Sequence, residues 1–256
     1  MFKRELKRAI CSWYFVLATI ILYISLFIGV IFDVLYSKGE NLLVLIIITL
    51  IIGTSIIVIP VVCGIPYGTS FCIDYESGYF EFAITRTSIR NYVLTKIVVG
   101  FISGASVVLA AIVLFSLSCI LVRPSVLQSV DYVNYSLGEY WVLLLNDKKD
   151  IIVFLFRVLM LCVFGGIWPV ISLGMSIIIK NKYIIMAVPF LVSEIMSYIT
   201  QLSGAYSFDL SNIPLQGPVE SMSFGGVPFA LAYSLLIITI MTCMFWVGVE
   251  RKLKHG

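Results

Sequence analysis

Long apolar runs broken by short polar clusters set the pattern of this chain. Six of them, residues 14–36, 42–66, 97–122, 151–179, 183–203 and 226–249, reach the roughly 20 helical residues needed to cross a hydrocarbon core of about 30 Å. They predict six membrane-spanning helices. The fifth run, YIIMAVPFLVSEIMSYITQLS, holds Pro189, Glu194 and several hydroxyls, and a broken or re-entrant span remains open there. Ahead of the first run, FKRELKRAICSW places Phe2, Leu6, Ile10 and Trp13 at helical spacing, with Lys3, Arg4, Lys7 and Arg8 on the flanks and opposite side. That pattern predicts an amphipathic helix over residues 1–13 lying along the membrane interface. A basic leader that only sets topology fits the same residues. The stretch that follows is as long as a full span and has no small-x-small cleavage site, so it reads as an anchor.

Composition agrees with the pattern. Of 256 residues, 61% are hydrophobic and 12% charged, about half the roughly 25% charge of a soluble domain, and the mean hydropathy is +1.08. One transmembrane domain over 1–256 is expected. The net charge of +3 matters less than its placement. With a cytoplasmic N-terminus, that side holds Lys3, Arg4, Lys7, Arg8, Arg86, Arg90, Lys96, Lys180, Lys182, Arg251, Lys252 and Lys254, against Lys38, Arg123, Lys148 and Lys149 opposite. Twelve against four puts both termini in the cytoplasm and favours an even number of spans. Segments 123–150 and 204–225 are then extracellular. The first has apolar and aromatic residues, including Tyr132, Tyr135, Tyr140 and Trp141, for interfacial helices or an aromatic belt; Pro214, Gly217, Pro218, Gly225 and Gly226 make the second a cap between spans five and six. No basic stripe stands apart from the apolar runs, which argues against nucleic-acid binding. Cys11, Cys63, Cys72, Cys119, Cys162 and Cys243 have no CxxC spacing and read as small hydrophobes or reduced thiols.

One polar interruption is too long for a simple turn between spans. Residues 67–96 contain FCIDYESGYFEFAITRTSIRNYVLTK, which mixes both signs of charge with aromatics. Pro60, Gly64 and Pro66 bend or end the preceding helix. Residues 71–84 suit one or two helical turns on each side of Gly78, and Ser88 suits the N-cap of a helix starting near Ile89. Phe71, Tyr75, Phe80 and Phe82 are expected to press toward the membrane side, and Asp74, Glu76 and Glu81 to face water. Topology is indifferent to acidic residues. An acidic and aromatic knob can instead seat in a groove of a soluble partner; a solvated linker is the plainer alternative.

This segment resembles the first cytoplasmic loop of the ABC-2 family of ATP-binding-cassette transporter membrane subunits. Glu76 and Gly78 match an acidic–glycine element, Thr85 and Arg86 fall where the family has a proline or serine near an arginine, and Tyr92 and Lys96 match the entry to span three. Thr85-Arg86-Thr87 departs from the family's proline-containing turn. The resemblance implies an all-α, six-span type V exporter fold, with residues 1–13 as an elbow helix and the 67–96 loop as a coupling helix. It further implies that Asp74, Tyr75, Glu76, Gly78, Glu81 and Arg86 couple to the ATPase. Two cytoplasmic ATPase subunits would bind ATP and Mg, and a second permease subunit, identical or related, would complete the pathway in a bacterial plasma membrane. Export of a peptide, lipid-like or amphipathic substrate is the implied activity.

No phosphate-binding glycine loop, dinucleotide fingerprint, metal cluster or nucleophile–base pair is apparent in the sequence. His255 lies in the terminal tail without companions. The chain is therefore expected to be no enzyme itself, to bind no metal or cofactor, and to depend on a partner for ATP hydrolysis. Gly100 and Gly104 form a GxxxG pair that lets another helix approach, either in this chain or in a second copy. Gly165, Gly166, Pro169 and Gly174 mark a fourth span that can bend. Arg157 and Glu194 are charges within spans, each needing a partner or water; they are expected to pair as a clamp or to line a polar pathway. An ion-coupled secondary transporter, which Glu194 with Pro189 suits, and a non-transporting membrane scaffold or sensor are the rival readings.

Overall fold

The computed structural model describes residues 1–36, 55–122, 150–179, 181–205, 208–212 and 226–255. All the regular elements among them are helices. In chain order they are α1 (Phe2–Ile10), α2 (Trp13–Tyr36), α3 (Ser55–Gly64), α4 (Ser70–Glu76), α5 (Tyr79–Arg86), α6 (Ile89–Val122), α7 (Asp150–Met175), α8 (Lys182–Ser203), a single 3-10 turn at Leu210–Asn212 and α9 (Gly226–His255).

Four helical segments among the described residues are long and apolar enough to cross a membrane: Ile89–Val122, Arg157–Met175, Lys182–Ser203 and Phe229–Lys254. The bent pair Phe2–Ile10 and Trp13–Ile28, which turns through 48°, makes a fifth if counted as one span. Large apolar side chains such as Ile24, Ile28, Leu117, Ile195, Leu202 and Leu235 are exposed on the outer faces of these helices. A surface this apolar is solvated by lipid, not water, and the protein is a helical membrane protein. The expected second span is described only from Ser55 to Gly64, with Pro60 inside the helix; its earlier part lies outside the described residues. Segment 123–149, most of 206–225, and the expectations resting on Tyr132, Tyr135, Tyr140, Trp141 and Pro214 likewise lie outside them.

The bundle is organised around α7, which packs against α3, α6, α8 and α9. Its closest partner is α6, and small residues explain why. A Cβ on Gly104 would run into the backbone carbonyl of Gly165 and lie 2.8 Å from Pro169, and one on Gly100 would lie 2.9 Å from Leu173. The GxxxG pair thus serves packing within this chain. Gly166 makes room for the ring of Phe101, and Trp168 and Phe164 meet edge to face at 5.4 Å in the fully buried centre. All six cysteines are free, three of them buried.

One end of the bundle gathers four separate parts of the chain. At 34 residues, α6 is about 51 Å long, longer than a hydrocarbon core of about 30 Å, and its first turns belong to this end. Helix α1 packs on α6 there, and α4 and α5 pack against each other. The C-terminal part of α9 reaches the same place, with the Lys252 ammonium 4.9 Å from the Phe71 ring and 4.3 Å from that of Tyr75. The α7–α8 turn joins them, since the Cys72 thiol donates to the Ile179 carbonyl at 3.7 Å. The N-terminal helix, the C-terminal helix end, the 70–86 segment and this turn therefore share one end of the bundle.

Candidate functional site

The local sequence explains the shape of the 70–86 segment. Gly78 sits at φ 70, a left-handed conformation that costs a glycine nothing. It lets α4 end and α5 begin within two residues, giving two short helices in place of one long one. Thr87 ends α5 in extended backbone, and the Ser88 hydroxyl accepts from the Asn91 N–H at 3.3 Å to start α6. The cap and the break at Gly78 stand where the sequence placed them.

An aromatic knot fixes the helix pair to the bundle. Phe71 and Phe80 are buried and meet edge to face at 5.5 Å. Phe71 also meets Phe245 of α9 at 5.1 Å, and Phe80 meets Tyr92 of α6 at 5.7 Å. Such pairs contribute about 0.5–1.5 kcal/mol each beyond area burial. Tyr75 borders the knot, 6.1 Å from the Phe71 ring and 5.9 Å from that of Phe80 while 43% exposed, and Phe82 is 68% exposed. Phe71 and Phe80 are thus the two rings that are buried, with Tyr75 at the edge of the knot and Phe82 outside it.

Beneath the knot lies a cluster of charges. Lys96 of α6 is fully buried, with its ammonium 2.6 Å from Asp74 Oδ2 and 3.1 Å from Glu5 Oε2. Arg8 donates to Asp74 Oδ1 at 2.7 Å and lies 3.8 Å from Glu5. The hydroxyl of Tyr67 donates to Glu5 at 2.7 Å, and that of Tyr92 to Asp74 at 3.4 Å. The ring of Tyr67 is also 5.0 Å from the Lys96 ammonium. Two carboxylates and two cations balance, and both acids have at least two charged partners. This is the arrangement under which buried charge is tolerated. Burial alone pushes the Glu5 carboxyl up, but Lys96, the Tyr67 hydroxyl and Arg8 outweigh it and hold it below its ordinary value. Burial, then the neighbouring Glu5 carboxylate, pushes the Tyr67 phenol up, so it stays a hydrogen-bond donor. The cluster ties α1, the α3–α4 connection, α4 and α6 into one unit.

Asp74 is thus corrected. It was expected to face water with Glu76 and Glu81, but it is 1% exposed, because α4 turns it toward Lys96 one face away from Glu76. Tyr75, Glu76, Gly78, Glu81 and Arg86 do lie on the exposed surface. On α1, Glu5 and Ala9 form the buried face, whereas Phe2 and, just beyond the helix, Trp13 are exposed. Of the apolar stripe only Phe2 and Trp13 are exposed; Leu6 and Ile10 are half-buried, Leu6 against the core, so apolar contacts and the charge cluster together hold the helix to the protein. Sequence reasoning missed Glu5, Arg8 and Tyr67. Glu5 carried a signal: it is the sole acid among the four bases of KRELKR, and topology gave it no reason to be there.

The remaining candidates fall elsewhere. Arg157 is buried in α7 and Glu194 is exposed on α8; none of the ion pairs among the described residues joins them. Among the described residues no group of three or more His, Cys, Asp or Glu is placed to hold a metal ion. Compared with known protein families, with curated proteins and with solved structures, the chain matches none.

Proposed function

We propose that this chain is the transmembrane subunit of an ATP-driven transporter of the ABC-2 kind, with α4 and α5 as the part gripped by a separate cytoplasmic ATPase. The observation that carries the reading is the pairing of an outward surface with an inward anchor. Tyr75, Glu76, Glu81 and Phe82 are exposed on two short helices, while Asp74 of the same helix pair is locked to Lys96 of α6 at 2.6 Å. A solvated linker has no need of such an anchor. A surface on which a motor pulls needs one, because force applied at α4 must reach a span and not be lost in loop bending.

In this reading six spans cross the membrane: α2, a span ending in α3, and α6 to α9. Two such subunits, identical or related, enclose the pathway, and both termini lie in the cytoplasm. ATP and Mg bind in the partner, whose closure draws on α4 and α5. The Asp74–Lys96 contact passes the displacement to α6, and the close approach at Gly104 passes it on to α7. Exposed carboxylates at Glu76 and Glu81 suit Arg or Lys in the partner's groove, with Tyr75 or Phe82 filling an apolar pocket. The substrate class is an exported peptide, lipid-like or amphipathic molecule.

Purification from the native cell in mild detergent tests the reading. A stoichiometric ATPase should accompany the wild-type chain and be lost from a Tyr75→Ala/Glu76→Lys variant that keeps its helicity. An intact complex that moves cargo in vesicles without ATP overturns it.

A further inference from the structure

Beside the buried cluster, α1 and α5 line a second feature, which shares Phe82 with the docking surface. A cavity of about 400 Å³ is lined by Met1, Arg4, Tyr79, Phe82, Ala83, Arg86 and Thr87. It contains two guanidinium groups and no carboxylate. The ion pairs among the described residues engage Arg8 and Lys96, and Arg4 and Arg86 take part in none of them. Arg4 lies over the Tyr79 ring, 5.1 Å from its centroid, which holds the guanidinium at the cavity wall. One turn further along α1, Arg8 faces Asp74 at 2.7 Å, so the helix directs one arginine inward to a carboxylate and leaves the other facing open space.

We propose that this cavity binds the phosphate group of an anionic lipid. Two guanidiniums lining one cavity are suited to phosphate, which accepts their forked N–H groups in pairs. The Thr87 hydroxyl also lines the cavity, although it already donates to the Ala83 carbonyl at 2.7 Å. Location selects the source of the phosphate. Helix α1 carries exposed Phe2 at one end and leads into exposed Trp13 at the other, which sets it at the boundary between hydrocarbon and water, the level of lipid headgroups. Met1, Phe82 and Ala83 give the cavity an apolar wall for the part of the lipid nearest its headgroup. Anionic lipids enrich the cytoplasmic leaflet, where basic residues contribute to their capture. The site requires only the interfacial position of α1, so it stands or falls separately from the transporter reading.

The test uses the full chain without any ATPase, purified in mild detergent, with phosphatidylglycerol as the probe and native mass spectrometry to count bound lipid. Arg4→Gln/Arg86→Gln should bind about tenfold or more weakly than wild type. Lys3→Gln/Arg90→Gln removes the same charge at exposed positions outside the cavity and should bind within about twofold of wild type. All four side chains are exposed, and far-ultraviolet circular dichroism verifies that both variants keep their helices. Lipid retained against a large excess of inorganic phosphate identifies the lipid as the ligand. Displacement by inorganic phosphate, with the same loss confined to the Arg4/Arg86 variant, identifies the phosphate group alone as what is recognised. Equal weakening in both variants, or undiminished binding in Arg4→Gln/Arg86→Gln, overturns the site.

Discussion

Replacing Lys96 by Met removes the fully buried one of the two cations, Lys96 and Arg8, that Glu5 and Asp74 share. Lys96 is fully buried and lies 2.6 Å from Asp74 and 3.1 Å from Glu5. At an effective dielectric of about 20, unit charges at those distances attract by about 5–6 kcal/mol each, most of it offset by the cost of taking the ions out of water. Removing one partner of a buried pair typically costs about 3–5 kcal/mol, because the other is left uncompensated. Here Arg8 remains, 2.7 Å from Asp74 with its side chain 39% exposed, so the lower figure of about 3 kcal/mol is expected. At about 2–4 °C per kcal/mol for a chain of this size, that lowers the unfolding midpoint by roughly 6–12 °C. A thiol-reactive dye reporting exposure of the buried Cys63 and Cys119 during heating in detergent reads the change. Glu5→Gln/Asp74→Asn/Lys96→Met removes the charges together and should lose less than Lys96→Met alone, since no carboxylate is stranded. If the triple variant is as unstable as the single one, shape and not charge holds this end of the bundle. If Lys96→Met melts with the wild type, the cluster contributes nothing.

Acid should loosen the same cluster. The Glu5 carboxyl is held below its ordinary 4.5, so its stabilising contribution is complete above about pH 4.5 and disappears as pH falls through the lower folded value. The wild-type midpoint should drop below about pH 4, and that of Glu5→Gln, already lower at neutral pH, should fall less steeply. Gly104→Ala should cost about 1–3 kcal/mol, read as a lowered midpoint, because the new methyl meets the Gly165 carbonyl and not a movable side-chain end. Gly78→Ala meets no atom within 4 Å, so its cost should come from the left-handed backbone alone, about 1–2 kcal/mol. Single cysteines at Ser77 and Asn181 should be labelled by a membrane-impermeant reagent from one side of sealed vesicles and one at Lys38 from the other; labelling of Ser77 and Asn181 from opposite sides would refute the shared face of the 70–86 segment and the α7–α8 turn.

Several features of this end of the protein could be read before any fold was known. Gly78 between two short apolar–acidic stretches, and Ser88 before Ile89, are local signals whose meaning depends on the backbone of a few residues. The exposed positions of Glu76 and Glu81 also follow from a short polar helix. Asp74 could not be assigned this way. It stands two residues from Glu76, and nothing in FCIDYES distinguishes a carboxylate facing water from one facing a lysine twenty-two residues later.

Hydropathy and the distribution of basic residues made this an all-helical membrane protein by themselves, because an apolar run long enough to span needs only its own backbone hydrogen bonds. The GxxxG pair likewise announced a close helix approach, and the arginines and lysines a common side for four separate segments. Only the tertiary structure decided that α7 is the partner of Gly104, that Glu5 turns inward while Phe2 and Trp13 turn out, and that Asp74, Lys96 and Arg8 close into one cluster. Those outcomes join residues up to ninety-one positions apart. Their energies arise from mutual desolvation and distance, which exist only once the helices have packed.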